Sequence, residues 1–190
     1  MKAIRIKIPV RISPNISTFN FLCLWAICPV SEVIVQTPGC FLTLKEIPLD
    51  QKNACSNRLM AAYFANVENQ TWLVCEIAGR VVGFAWAESE AMTDRVWNLH
   101  AIAVSKSHRM QGSGRALLQA IETSLTECAR LLVIDTTQLE EQAAGRIMYQ
   151  KCGYALSATF ADFWEEGVEK SYVCQKDVTK KPPGRMAWAA

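Results

Sequence analysis

The sequence predicts a mixed α/β sheet with helices on its faces. Three observations carry that expectation. Strand-like apolar runs recur between residues 41 and 175. Two segments among them, 112–129 and 138–152, show helical spacing instead. The chain has 190 residues, 51% of them hydrophobic and 20% charged. A chain of that length buries roughly 70% of its unfolded surface, and its apolar content excludes disorder along the whole length.

The elements follow in order. FLTLKEI (41–47) alternates as a strand does. Residues 50–67 place Leu59, Met60, Tyr63, Phe64 and Val67 at helical spacing. WLVCEI (72–77) and VVGFAWA (81–87) flank Ala78-Gly79-Arg80 and read as a hairpin. VWNLHAIAV (96–104) is a further strand. The helix from Gly112 to about Ala129 sets Leu118, Ile121, Leu125 and Cys128 on one buried stripe. LLVID (131–135) is continuously apolar, as a strand covered on both faces would be. The helix 138–152 puts Ala143, Ala144, Ile147 and Met148 on one side, with Gly153 as its C′ residue. YALSATF (154–160) and SYVCQ (171–175) close the series as strands.

The ends differ from this body. Lys2, Arg5, Lys7 and Arg11 precede an apolar run at 19–30. That is the outline of a signal peptide, but no small-x-small cleavage site lies close behind it. The run is also shorter than the roughly 20 residues a membrane span needs. Residues 1–39 are therefore read as an unassigned extension that packs loosely or stays mobile, 40–177 as one domain, and 178–190 as a disordered tail. Twenty Lys+Arg against 18 Asp+Glu argue against a nucleic-acid binder. Eight cysteines occur without a CxxC pair and with only two histidines, so no zinc framework is expected. Cysteines inside apolar runs, such as Cys75 and Cys128, read as buried thiols. A reducing, cytoplasmic compartment follows as the expectation, with no membrane partner.

The segment IAVSKSHRMQGSGRALLQAIE (102–122) carries chemistry. A strand ends at Val104, a polar turn follows, and Gly112-Ser113-Gly114 opens a helix. The first N–H groups of a helix lack intrahelical partners and point out at the positive end of its dipole. They form an anion site suited to a phosphate. Lys106, Arg109 and Arg115 can add charge. A dinucleotide fingerprint would need GxGxxG, and a Walker loop would need GK[ST]; neither is present.

Arg109-x-x-Gly112-x-Gly114 after a strand ending IAV resembles the acyl-CoA pyrophosphate loop of the GNAT acetyltransferase superfamily. AAGRIMYQKCGY (143–154) is similar to the family's AxxFYxKxGF/Y segment, with Met148 at the usual Phe and Tyr149 at the tyrosine. WLVCEIAGRVVGFA, with Gly83, resembles the family's second and third strands, and DFWEEGVEKSYVCQK its last hairpin. The resemblance covers about residues 55–177 in the correct order.

The resemblance implies a mostly antiparallel twisted sheet in which strands 96–104 and 131–136 run parallel and splay apart around acetyl-CoA. It implies no metal. Pantetheine would pair with Ile102 and Val104, and an N–H near Ile102 or Ala103 would meet the thioester oxygen. The loop Arg109, Met110, Gln111, Gly112, Ser113, Gly114 and Arg115 would hold the pyrophosphate. Tyr149 sits at the family's general-acid position, and a tyrosine of ordinary pKa about 10 suits protonation of a thiolate.

The base is open. By period two His100 is expected on one face with Asn98 and Ile102, near the reacting carbon. Related sequences often carry an aromatic residue there and an acid at the Asn98 position. Glu76, Glu88, Glu90 or a water chain are alternatives, while Asp135 reads as a turn or cap residue. The acceptor pocket is expected from the 47–70 region, the 88–95 loop and a 161–169 hairpin loop bearing Asp162, Phe163, Trp164, Glu165 and Glu166. Aromatic walls with carboxylates suit a small cationic amine. The expected activity is direct transfer from acetyl-CoA to the primary amine of a small or amino-acid-like acceptor, in one ternary complex. No cysteine reads as an acyl carrier; Cys152 beside Gly153 is a helix-end packing residue. Acetylation of a protein Lys or N-terminus, and a non-catalytic CoA-binding module, are the alternatives. A homodimer is left open.

Overall fold

The computed structural model describes residues 4–7 and 69–177. The expected strand 41–47, the helix 50–67, the apolar run 19–30 and the tail 178–190 lie outside the described residues, as do the proposed domain boundaries.

Seven strands form one sheet: β1 (Ile4–Lys7), β2 (Gln70–Ile77), β3 (Arg80–Ser89), β4 (Val96–Val104), β5 (Leu131–Thr136), β6 (Leu156–Glu165) and β7 (Val168–Asp177). Their order is β1-β2-β3-β4-β5-β7-β6. Every neighbouring pair is antiparallel except β4–β5. Two α-helices are described, α1 (Ser113–Leu125) and α2 (Ala143–Lys151). Short 3-10 turns at Lys106–His108 and Glu140–Gln142 precede them.

The elements obey local chemistry. Ala78 and Gly79 both take positive φ, the geometry a two-residue hairpin turn requires between right-twisted strands. Gly153 has φ +89 just past α2, as a left-handed C′ glycine should. β1 was not among the expected strands; four residues of the supposed extension pair Ile4 with Ile77 through Lys7 with Val74.

The core lies between one sheet face and α1. Leu73, Cys75, Ala85, Ala87, Trp97, Leu99, Leu132 and Ile134 meet Leu117, Leu118, Ile121 and Leu125 there. Three expectations need correction. Cys128 is exposed, because α1 ends at Leu125 and a turn follows; Ala129 fills the buried position instead. α2 turns Tyr149 and Met148 inward and leaves Ile147 exposed, since its buried stripe is offset from the small-residue side. β5 is fully covered on one face only: Leu132 and Ile134 are buried, while Val133 and Asp135 are partly buried on the other side of the sheet.

Candidate active site

β4 and β5 are in register from Val96–Leu131 through Leu99–Ile134, and the paired run stops there. β4 continues to Val104 and β5 to Thr136, so the parallel pair opens at its C-terminal end. A β-bulge sits at the same place. Trp86 pairs with Ala101 and Ala87 with Leu99, which leaves His100 as the extra residue on β4. A bulge bends its strand and increases the local twist. Here it falls where β4 and β5 stop pairing.

The bulge also corrects a face assignment. Period two would group His100 with Ile102. Across the extra residue the parity changes, so Ile102 and Val104 pack on the α1 side with Leu99, while His100 stacks on Trp86 on the opposite face. Asn98 stays on the His100 face, opposite Glu88 in the register.

Beyond Val104 the chain runs into α1. The Ser105 N–H donates to Val82 O at 2.8 Å, and strand alternation then aims the N–H of Ala103 at β3 and the backbone groups of Ile102 and Val104 toward the opened gap. The Arg109 Nε donates to Val104 O at 3.1 Å, which folds this side chain across the strand end. His108 Nδ1 lies 2.9 Å from both Ser105 Oγ and Ser107 Oγ and fixes the turn. Met110 and Gln111 are exposed, and Met110 takes φ +59.

Gly112 is the N-cap of α1, at φ +89, with no side chain capping the helix. The first backbone bond is Ala116 N–H to Gly112 O, so the amides of Ser113, Gly114 and Arg115 precede the intrahelical ladder. No acid occupies the first turn. Ser113 is buried and faces Cys75 rather than its own helix end. Two glycines allow close packing here. A Cβ on Gly83 would stand 2.7 Å from Ala103 O, and one on Gly114 would stand 3.1 Å from Met148 Sδ. Met148 therefore seats α2 against the start of α1. Arg146 locks the same helix by donating from Nη1 to Thr137 O and Leu139 O, each at 2.7 Å. Tyr149 is 7% exposed and shares one cluster with Leu99 and Ile134, the last paired residues before the gap.

On the other sheet face lies a polar and aromatic corner. His100 Nε2 is 3.9 Å from Glu88 Oε2. Asn98 Nδ2 donates to Glu90 Oε1 at 2.9 Å and to Asp135 Oδ2 at 3.4 Å. Lys170 Nζ reaches Asp135 Oδ2 at 2.9 Å and lies over the rings of Phe163 and Trp164. The expected 161–169 loop is mostly strand. β6 runs to Glu165, and only Glu166 and Gly167 form the turn. Phe160 pairs with Lys170 and Glu165 with Val168, so residues 161–164 bulge opposite Glu169 alone. That bulge carries Phe163 and Trp164 over Lys170, and Asp162 Oδ1 closes it by accepting from Gly167 N–H at 2.8 Å.

Asp135 is thus half of an ion pair and not a cap. Sequence reading missed Lys170, because one lysine in a polar hairpin carries no sign of burial. Glu76 sits on β2, away from the His100 corner. The Lys106 and Arg115 side chains have no described contact to the helix start.

Burial pushes the Cys75 thiol above its ordinary pKa, the Ser113 hydroxyl opposes this, and Glu76 adds to the rise. A raised pKa keeps the thiol protonated at neutral pH, and the thiolate is the reactive form. Thiol alkylation of the folded protein at neutral pH is expected to label exposed Cys128 and spare Cys75; peptide mapping reads this directly.

Residues 68–156 match the family described as Acetyltransferase (GNAT) domain. The chain carries a GNAT acetyltransferase domain. The domain is that of an acyltransferase. Solved structures agree in fold. A GNAT-family acetyltransferase from Desulfovibrio desulfuricans aligns at TM-score 0.63 and 20% identity, covering 94% of this chain and 99% of that one. The ribosomal-protein-S18-alanine N-acetyltransferase of Escherichia coli aligns at 0.61 and 16%, covering 97% and 100%. An aminoglycoside 6'-N-acetyltransferase complexed with coenzyme A aligns at 0.62 and 16%, covering 88% and 98%. A search of the curated proteins finds no match. Among the described residues of this GNAT domain, no helix is long and apolar enough to cross a membrane, and no group of three or more His, Cys, Asp or Glu could hold a metal ion.

Proposed function

We propose that this GNAT domain moves an acetyl group from acetyl-CoA to the primary amine of a small or amino-acid-like acceptor, directly, within one ternary complex. The carrying observation is that β4–β5 pairing stops at Leu99–Ile134 while β4 runs on to the uncapped start of α1. The amides of pantetheine fit the gap side of β4, along Ile102 and Val104. The pyrophosphate fits the helix start, through the amides of Gly112 to Arg115, with Arg109, Met110 and Gln111 shaping the approach. Each hydrogen bond to a charged group contributes about 1.5–3 kcal/mol, so several donors hold the phosphates without a cation.

The chemistry then has assigned residues. His100, backed by Glu88, accepts the proton of the incoming ammonium, directly or through water. For an amine of lysine-like pKa this deprotonation costs about 4.6 kcal/mol at neutral pH. The amine nitrogen attacks the thioester carbon, and negative charge grows on its oxygen. The N–H of Ile102, aimed at the gap, suits that oxygen better than the N–H of Ala103, aimed at β3. The C–S bond breaks, and Tyr149 gives the departing thiolate its proton.

The acceptor approaches on the His100 face, where carboxylates and indole rings favour a cation. A panel of primary amines, with thiol release from acetyl-CoA as the readout, tests this reading. Release that depends on the amine is expected. Tight CoA binding with no release on any amine would instead support a non-catalytic CoA-binding module.

A further inference from the structure

Two buried acceptors without a protein hydrogen-bond partner, Asn98 Oδ1 and Asp135 Oδ1, belong to linked residues of the corner beside His100, while the buried indole N–H groups of Trp86 and Trp164 are donors without a partner. Asn98 is 95% buried, being 5% exposed. Its amide nitrogen is already held between Glu90 and Asp135, which fixes the orientation of its oxygen. A buried acceptor left unsatisfied is costly. Native structures hold few such atoms, and a cluster of them marks a place that another group completes.

The charges of the corner say which group. Lys170 is matched by Asp135 at 2.9 Å. Glu88 lies beside His100. Glu90 is exposed, and its carboxylate accepts from Asn98 Nδ2. Beyond the Lys170–Asp135 pair, the corner adds the Glu88 and Glu90 carboxylates and two unfilled acceptors, Asn98 Oδ1 and Asp135 Oδ1, which suit a protonated amine. It also already holds one ammonium over aromatic rings, that of Lys170, at 4.6 Å from Phe163 and 5.3 Å from Trp164. Such rings favour cations.

We propose that the acceptor is a diamine: one amine is acetylated beside His100, and a second, protonated amine is held by Glu90 and the Asn98 corner. This rests on the transferase reading for the first amine. Asn98 and His100 are two residues apart on β4, about 6.6 Å at strand rise. An extended four-carbon diamine spans that distance.

The test compares 1,4-diaminobutane with 1-aminobutane on the full chain saturated with CoA, by calorimetry, and with acetyl-CoA, by thiol release. A hydrogen-bonded charge of this kind corresponds to a preference of about tenfold or more for the diamine. In Glu90→Gln, whose side chain is exposed and whose fold should persist, the ratio of diamine to monoamine falls toward one. A preference in binding that collapses in Glu90→Gln supports the second-amine site even if no acetyl is transferred, and in that case only the transferase reading fails. Equal affinities, no binding of either amine, or a preference that Glu90→Gln leaves intact would overturn the proposal.

Discussion

Asp135→Ala is expected to destabilise the protein by about 3–5 kcal/mol, the usual cost of removing one partner of a buried ion pair. Asp135 and Lys170 side chains are only 12% and 11% exposed and lie 2.9 Å apart. Removing the carboxylate takes the 2.9 Å ion-pair partner from the Lys170 ammonium beneath Phe163 and Trp164. It also removes one of the two acceptors of Asn98 Nδ2. The converse control separates pairing from packing. Lys170→Met in the Asp135→Ala background removes the buried charge and should recover much of the loss. Denaturant unfolding measures both, and a loss below about 1 kcal/mol, the range of exposed pairs, would show that the pair is solvated.

Tyr149→Phe is expected to lower kcat by about a hundredfold or more, within the usual range of general acid–base catalysis. The ring should stay in place, since it is buried in the core cluster and meets Tyr154 at 6.4 Å between centroids. CoA affinity should therefore change little. The signature is a fall in kcat with binding preserved, as expected for a group that acts in the transition state. Equal losses in CoA affinity and turnover would assign Tyr149 to packing alone.

The two halves of the candidate site differed in how readable they were. The cofactor half is local. Val104, the polar turn and Gly112-Ser113-Gly114 lie within a few residues, so strand, turn and helix start could be placed from spacing alone. Gly83 and Tyr149 were legible only through the resemblance of their segments to the GNAT family. The acceptor half is not local. It depends on a bulge at His100 that reverses the parity of β4, and nothing in VWNLHAIAV marks an extra residue. It depends equally on the bulge 161–164, which turns an expected loop into strand and carries two aromatic rings over Lys170. Asp135 shows the same limit: it pairs with a residue 35 positions away along the chain, through strands whose register no periodicity reveals. Cys128 was misplaced because α1 stops one turn before its apolar stripe does.

The central claim is direct acetyl transfer across the gap that opens beyond Leu99 and Ile134. Acetyl-labelled acetyl-CoA, incubated with the protein and quenched before and after addition of an accepted amine, tests it most directly. The label should remain on CoA until the amine arrives and should then appear on the amine, with none on the protein at either time. Label bound to the protein before the amine is added, and passed to it afterwards, would contradict the claim.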